Sequence, residues 1–275
     1  MRYLERKLSA DLDYIDLYAV SDVHRGHPKF NLNAWQTLLQ KIAKDPHARM
    51  VLNGDGVESA LKSSKYGETY ASLRPKEERK LLQQELELVK DKIDAITSGN
   101  HDARAEKDSD ENVMERVAEH LGLLDHYDPA SVVLDLSFGT RNGGKDKATS
   151  FDFFIAHGQG GGRRPGSKLN RLQEWAWIVD GVDGYISGHV HSLMSYIENR
   201  FTPDPYNKCV SMRPVAYLVA GSFLDYGGYA EIGLYSPNAV SMPYLRLYQK
   251  RRTDKHKEMQ IVLPTRISPA RDANA

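Results

Sequence analysis

The sequence has a single cysteine and no net charge, and each of these features argues against certain kinds of site or partner. Cys209 has no second cysteine to pair with, which excludes an intramolecular disulfide and a multi-cysteine zinc site. Lysine plus arginine and aspartate plus glutamate both number 37. Bulk electrostatic attraction to nucleic acid or to an anionic membrane is therefore not expected.

Long apolar runs are also missing from the 275 residues. Charged residues interrupt every apolar stretch before it reaches the roughly 20 residues that a membrane-spanning helix needs. The N-terminal segment lacks the apolar core of a secretory signal for the same reason. We therefore expect a soluble, cytoplasmic protein with no membrane partner, and the sequence leaves the oligomeric state open.

Five short apolar runs end in histidine, aspartate or asparagine. They are rich in β-branched and aromatic residues, as buried strands are, and they cover 14–24, 48–55, 93–102, 151–158 and 184–191. Apolar residues at helical spacing lie between or after them, over 33–45, 75–93, 113–124 and 169–180. This alternation predicts an α/β fold with helices packed outside a sheet. Later segments, including AEIGLYS at 230–236, are predicted to be strands.

No internal repeat or change of composition marks a domain boundary, so residues 1–263 are predicted to form a single domain. Residues 60–94 insert a helix between two strand-forming runs and are suited to a cap or a partner surface. The small, polar residues 264–275 are predicted to be a disordered tail.

Histidines are concentrated where the predicted strands end. Carboxyl ends of strands are the ligand-binding edge of open α/β sheets. The side chains at these ends are His24, His101, His157, His189 and His191, together with Asp22, Asp55, Asn100 and Asp102. Imidazole, carboxylate and amide groups form a mixed nitrogen and oxygen ligand set that suits Mn, Fe, Zn, Co or Ni. The number of candidate ligands predicts two ions that share a bridging carboxylate.

The blocks SDVH, NGDG, SGNHD, IAHG and SGHVH, in this order, resemble the calcineurin-like metallophosphoesterase superfamily over roughly residues 15 to 192. The resemblance implies a two-sheet β-sandwich flanked by helices, with the active site at the strand C-terminal ends. It also implies a role for each residue of the blocks. The first ion would take Asp22, His24 and His191, the second would take Asn100, His157 and His189, and Asp55 would bridge them.

The resemblance implies a hydrolytic mechanism as well. His101 would stand near the scissile phosphate as an acid or a transition-state stabiliser, oriented by Asp102, and a metal-activated hydroxide would attack the phosphate ester. Mn²⁺ is the metal that we favour. No glycine-serine nucleophile elbow occurs in the sequence, which agrees with a mechanism that needs no protein nucleophile.

One block departs from the pattern of phosphoprotein phosphatases. It reads GDGVES, with Glu58 near the place of a second acid and no Asp-Arg-Gly, and the later block is GNHD rather than GNHE. This favours a phosphodiesterase acting on a nucleotide or nucleic acid. The alternatives are a phosphomonoesterase for a small metabolite or phosphoprotein and, in another class, a catalytically silent binding scaffold.

A glycine-rich basic loop follows His157 directly. Its cations Arg163, Arg164 and Lys168 are candidate contacts for a substrate phosphate, and the alternative is a loop of solvated charges. The loop lacks the spacing of a Walker A motif. The aromatic residues of LQEWAWIVD, further along, are predicted to lie in the core.

Overall fold

The computed structural model describes residues 1–60, 73–109, 111–139, 148–160, 162–238, 240–249 and 257–264. Within these ranges two six-stranded sheets lie face to face with helices outside them, which confirms the predicted α/β sandwich. The predicted tail, from residue 265 onward, and residues 61–72 of the predicted insertion lie outside the described residues. The single domain over 1–263 stays a prediction.

The first sheet mixes parallel and antiparallel neighbours. Its order is β1 (Arg2–Lys7), β6 (Ser131–Phe138), β7 (Thr149–Ala156), β8 (Gly184–Ser187), β10 (Cys209–Val219) and β9 (Met194–Asp204). β7, β8 and β10 run parallel, so the ends of β7 and β8 reach the same edge of the sheet.

The second sheet has a parallel centre. Its order is β12 (Glu258–Val262), β11 (Tyr244–Tyr248), β2 (Tyr14–Val20), β3 (Ala48–Asn53), β4 (Ile93–Thr97) and β5 (Tyr127–Asp128). β2, β3 and β4 pair parallel in chain order, and only β11 and β12 run antiparallel to their neighbours. Three polar turns therefore meet at one edge.

The strand β2 shows why its sequence is apolar without a break. Leu17 and Ala19 face the other sheet and belong to the same buried cluster as Phe153. Tyr18 and Val20 face the helices and belong to a second cluster. A strand covered on both faces has no solvent side, so alternation of apolar and polar residues disappears.

Asn53, the last residue of β3, ties the two sheets together just below the strand ends. Its Nδ2 donates to the carbonyl of Ala156 at the end of β7 (2.9 Å), and its Oδ1 accepts from the Thr97 hydroxyl (2.8 Å). The Asn53 carbonyl accepts from the hydroxyl of Ser21 (2.7 Å). Because Asn53 is buried, water does not compete for these bonds, and they hold the two sheet edges side by side.

The helices flank the sandwich: α1 (Leu32–Lys44), α2 (Pro75–Leu86), α3 (Asp102–Ser109), α4 (Val113–Leu121), α5 (Pro165–Glu174) and α6 (Tyr229–Ile232). The side chain of Asn31 caps α1 by accepting the N–H of Ala34 at 2.9 Å. None of the described helices is long and apolar enough to cross a bilayer.

Two predictions about local structure were wrong. AEIGLYS contains the short helix α6 and a turn instead of a strand. Trp175 does pack against Phe154, with ring centroids 5.5 Å apart, but Trp177 is 86% exposed and does not belong to the core. The reason is that α5 begins at Pro165 and ends at Glu174, so a following 3-10 turn carries Trp177 outward.

Candidate metal centre

The polar turns after β2, β3, β4, β7 and β8 meet at the joint edge of the two sheets. Their backbone is unusual: φ lies between 47° and 69° at five residues, namely Asp22, His24, Asp55, His189 and His191. Side chains other than glycine rarely adopt this left-handed conformation, and Asp, Asn and His adopt it most readily. Such turns reverse the chain sharply and aim side chains inward. Strained backbone of this kind clusters at functional sites.

One group of ligand atoms is formed by Asp22, His24 and His191. These atoms all lie within 4.8 Å of one another. His191 Nε2 is 3.0 Å from Asp22 Oδ1 and 3.0 Å from His24 Nε2. His24 Nδ1 is 2.9 Å from Glu58 Oε2, and this contact turns the other ring nitrogen toward the group. The arrangement offers two imidazoles and one carboxylate to a cation.

A second group is formed by Asp55, His157 and His189, again within 4.8 Å. His157 Nδ1 donates to the carbonyl of Asn53 (2.8 Å), which leaves Nε2 as the ring nitrogen that faces the group. That Nε2 is buried 3.2 Å from Asp55 Oδ2 and has no hydrogen bond within the described part of the chain. A buried nitrogen without a hydrogen bond, aimed at an ionised carboxylate, is what a metal ligand looks like without its ion.

Electrostatics favour a cation at both groups. Burial alone would raise the pKa of Asp22, but His191 and His157 outweigh it and hold the pKa at about 2. Burial opposes ionisation of Asp55 too, and His157 and His101 bring its pKa well below the ordinary value. Burial lowers the pKa of His157, while Asp55 raises it more strongly, to about 10. Asp22 and Asp55 are therefore ionised, and a divalent ion would take the place of the proton on His157.

Asn100, the remaining predicted ligand, lies at the mouth of the second group. Its Oδ1 is 2.7 Å from His189 Nδ1. The backbone N–H of His189 donates to both oxygens of Asp22, at 2.9 and 3.1 Å, and so links the two groups. The structure thus brings all seven predicted ligands to one place.

His101 stands beside this place, at the start of α3. Its backbone N–H donates to Asp55 Oδ1 (2.8 Å). Its Nδ1 lies 3.3 Å from Glu58 Oε2, and its Nε2 lies 2.8 Å from the guanidinium of Arg104. Burial lowers the pKa of His101, but the hydrogen bond to Glu58 and the charge of Asp55 produce a net rise. Arg104 was not predicted from the sequence. The available signal was its position three residues after His101, where a helix would bring the two side chains together.

Asp102 has a different set of contacts. Its carboxylate is buried and accepts backbone hydrogen bonds from Gly56 (3.0 Å), Val57 (3.3 Å) and Gly99 (2.8 Å). These bonds hold the turn after β3 against the turn after β4. The ring of His101 contacts Glu58 and Arg104, and it packs edge-on against the His24 ring with centroids 4.4 Å apart.

A pocket of about 510 Å³ opens over the site. Arg163 and Lys168 line it, whereas Arg164 is exposed at the start of α5 and does not. Lys168 Nζ donates to the Val190 carbonyl (3.3 Å) and to the Ser192 hydroxyl, which anchors the turn that carries His189 and His191.

The outer wall of the pocket was not foreseen. It is built by the segment 222–238 that includes α6, and it presents Tyr226 and Tyr235. The guanidinium of Arg163 lies 5.6 Å from the centroid of the Tyr235 ring. Cationic and aromatic groups therefore face the candidate metal ligands across the cavity.

The chain matches one family model and is similar to several solved structures. The model of the family described as calcineurin-like phosphoesterase matches residues 15–193. Vps29 of Chaetomium thermophilum is 10% identical, with 91% of this chain and 97% of that one covered and a TM-score of 0.41. A hypothetical protein of Pyrococcus horikoshii OT3 is 7% identical, with 90% and 87% covered and a TM-score of 0.41. No curated protein matches.

Proposed function

The chain belongs to the calcineurin-like phosphoesterase family, and on that premise we propose that it is a dinuclear metal-dependent phosphodiesterase acting on a nucleotide or nucleic acid. The observation that carries the proposal is the pair of adjacent ligand groups, in which Asp22 and Asp55 are buried and ionised among imidazoles. When bound, two divalent cations would supply an activated water and offset negative charge on the phosphate.

We assign one ion to Asp22, His24 and His191, the other to Asn100, His157 and His189, and the bridging position to Asp55. Mn²⁺ suits this nitrogen and oxygen set and is the metal that we propose. A cytoplasmic location, expected from the sequence, stays part of the proposal.

His101 and Arg104 are the chain's own groups beside the reacting phosphate. In the substrate-free protein the Arg104 guanidinium donates to His101 Nε2, because arginine has no acceptor. An entering phosphate competes for that guanidinium, since a charged partner binds it more strongly than a neutral ring nitrogen. His101 Nε2 is then free to take up a proton from solvent, as the raised pKa of this imidazole favours, and to pass that proton to the leaving oxygen while Glu58 holds Nδ1.

The pocket supports a substrate larger than a phosphate alone. Its volume of about 510 Å³ accommodates a drug-sized or nucleotide-sized group. Tyr226 and Tyr235 provide faces on which a base can stack, and stacking of this kind contributes roughly 1–3 kcal/mol per base. Arg163 beside Tyr235 adds a cation for a second phosphate oxygen or for the base itself.

The test compares hydrolysis of bis-p-nitrophenyl phosphate and p-nitrophenyl phosphate by protein stripped of metal and reloaded with Mn²⁺. Asp55→Asn is the control, because it keeps the shape of the bridging residue and removes its charge. We expect diester cleavage that disappears in Asp55→Asn, together with a loss of bound Mn²⁺. Dinucleotides and cyclic nucleotides are then compared for wild type and Tyr235→Ala.

Other outcomes would replace the proposal. A preference for the monoester would identify a phosphomonoesterase. Bound Mn²⁺ with no cleavage of either ester or of any nucleotide would identify a silent scaffold. Equal turnover of nucleotides by wild type and Tyr235→Ala would contradict stacking of a base on Tyr235, but it would not contradict metal-dependent hydrolysis.

A further inference from the structure

The strand β9 has a long outer edge with no partner strand. Eleven residue pairs connect its inner edge to β10, and no strand within the described ranges pairs with the other edge. At about 3.3 Å per residue, the free edge is roughly 35 Å long. Proteins usually blunt such edges with lysine, proline or a bulge. β9 contains no lysine, and its one proline, Pro203, lies next to its C-terminal end.

Apolar side chains are exposed along this edge. Phe201 is 76% exposed and lies opposite Met212, which is 48% exposed, and Ile197, opposite the buried Ala216, is 41% exposed. Residues at alternate positions share a face, so these side chains continue the inner face of the first sheet beyond the part that the second sheet covers. A row of exposed apolar residues beside an unpaired strand edge is suited to receive another strand.

We propose that β9 pairs antiparallel with β9 of a second copy of this chain, with Asn199 on the twofold axis. In that register Glu198 of each copy lies opposite Arg200 of the other, and Ile197 lies opposite Phe201. The two sheets join into one sheet of twelve strands. The two cross-strand ion pairs and the two apolar pairs each stabilise the joined strands.

The charges select this register over its neighbours. A twofold axis normal to the sheet keeps each side chain on its own face, so only pairings between residues of the same face are allowed. Moving the axis to residue 198 sets Glu198 opposite Glu198, and moving it to residue 200 sets Arg200 opposite Arg200. Like charges directly opposite each other are destabilising. Within one chain Arg200 reaches Glu198 at 3.1 Å, and both side chains also contact the Tyr217 hydroxyl, at 2.6 and 3.0 Å, so both groups lie on the same face beside the unpaired edge.

Cross-linking tests the register directly. Opposed residues in an antiparallel pair have Cα atoms roughly 4.5–5.5 Å apart, which is within the range of a disulfide. Asn199→Cys, in a Cys209→Ser background, should therefore form a covalent dimer under mild oxidation. The matched control is Ser195→Cys on the same strand. Its equivalent in the other copy would lie roughly 26 Å away, eight residues along the strand, and it should not cross-link.

Charge exchange tests the interaction in solution by light scattering and sedimentation. Wild type should be a dimer at micromolar concentration. Arg200→Glu should raise the dimer dissociation constant at least tenfold, and the double variant Glu198→Arg, Arg200→Glu should restore it. Recovery in the double variant excludes misfolding as the cause of the loss. A monomeric wild type, an unchanged Arg200→Glu, or equal cross-linking at positions 195 and 199 would overturn the proposal.

Discussion

Glu78 predicts an unusual dependence of stability on pH. The side chain is fully buried on α2, and its Oε2 accepts the N–H of Ser59 at 2.8 Å. Its Oε1 has no hydrogen bond within the described part of the chain and fills the space beside Gly26, where a Cβ would come within 2.2 Å of it. Burial, aided by the charge of Glu58, raises its pKa from 4.5 to about 7.

The size of the effect follows from that difference. One pKa unit corresponds to about 1.4 kcal/mol, so a rise from 4.5 to about 7 amounts to about 3 kcal/mol. Between these values the folded state holds a proton that the unfolded state has released. The contribution of the protonated Glu78 carboxyl to the free energy of unfolding is therefore complete below pH 4.5 and is lost as the pH rises through 7.

The variant Glu78→Gln cannot ionise and should escape this loss. We expect it to match wild type in free energy of unfolding at pH 4.5 and to exceed it by up to about 3 kcal/mol at pH 8.5. Urea denaturation of chelator-treated protein measures both values. Glu77 is exposed one residue earlier on the same helix, so Glu77→Gln should show no gain in free energy of unfolding at pH 8.5 relative to wild type. An equal difference between Glu78→Gln and wild type at the two pH values would contradict a raised pKa of Glu78.

Two further changes test the support of the site. Lys168→Met removes the hydrogen bonds from α5 to Val190 and Ser192, so Mn²⁺ affinity measured by calorimetry should fall about tenfold. Arg164→Met is the control and should leave the affinity unchanged. Unchanged Mn²⁺ affinity in both variants would contradict the role of Lys168 in anchoring the turn. Gly188→Ala would place a Cβ 1.9 Å from Ser21 Oγ and should lower the free energy of unfolding by about 1–3 kcal/mol. Gly166→Ala, with nothing within 4 Å of its added Cβ, should not, and equal stability of the two variants would contradict the packing argument.

The central strands and the ligands they carry could be predicted because both obey short-range rules. A buried parallel strand is an unbroken apolar run, and its polar end lies at the ligand-binding edge, so Asp22 or His157 is recognisable from its neighbours alone. The strands at 2–7 and 194–204 were not predicted from the sequence. Their exposed side chains give no apolar run, and edge strands are often of this kind.

The surroundings of the metal centre were harder to predict because they depend on contacts between distant segments. Arg104 becomes significant only once α3 turns it toward His101. Tyr226 and Tyr235 enter the site because a four-residue helix folds their segment over the pocket, and so short a helix leaves no periodicity in the sequence. Lys168, a candidate substrate contact, is hydrogen-bonded to the carbonyl of Val190, in the turn that carries His189 and His191.

Each ligand group is divided between the two sheets. Asp22 and His24 follow a strand of the second sheet while His191 follows one of the first, and Asp55 is separated in the same way from His157 and His189. Neither sheet alone carries a complete ligand group for a metal ion. Binding of metal ions and docking of the two sheets therefore form one thermodynamic equilibrium. The free metal concentration is then expected to set the free energy of unfolding of the chain.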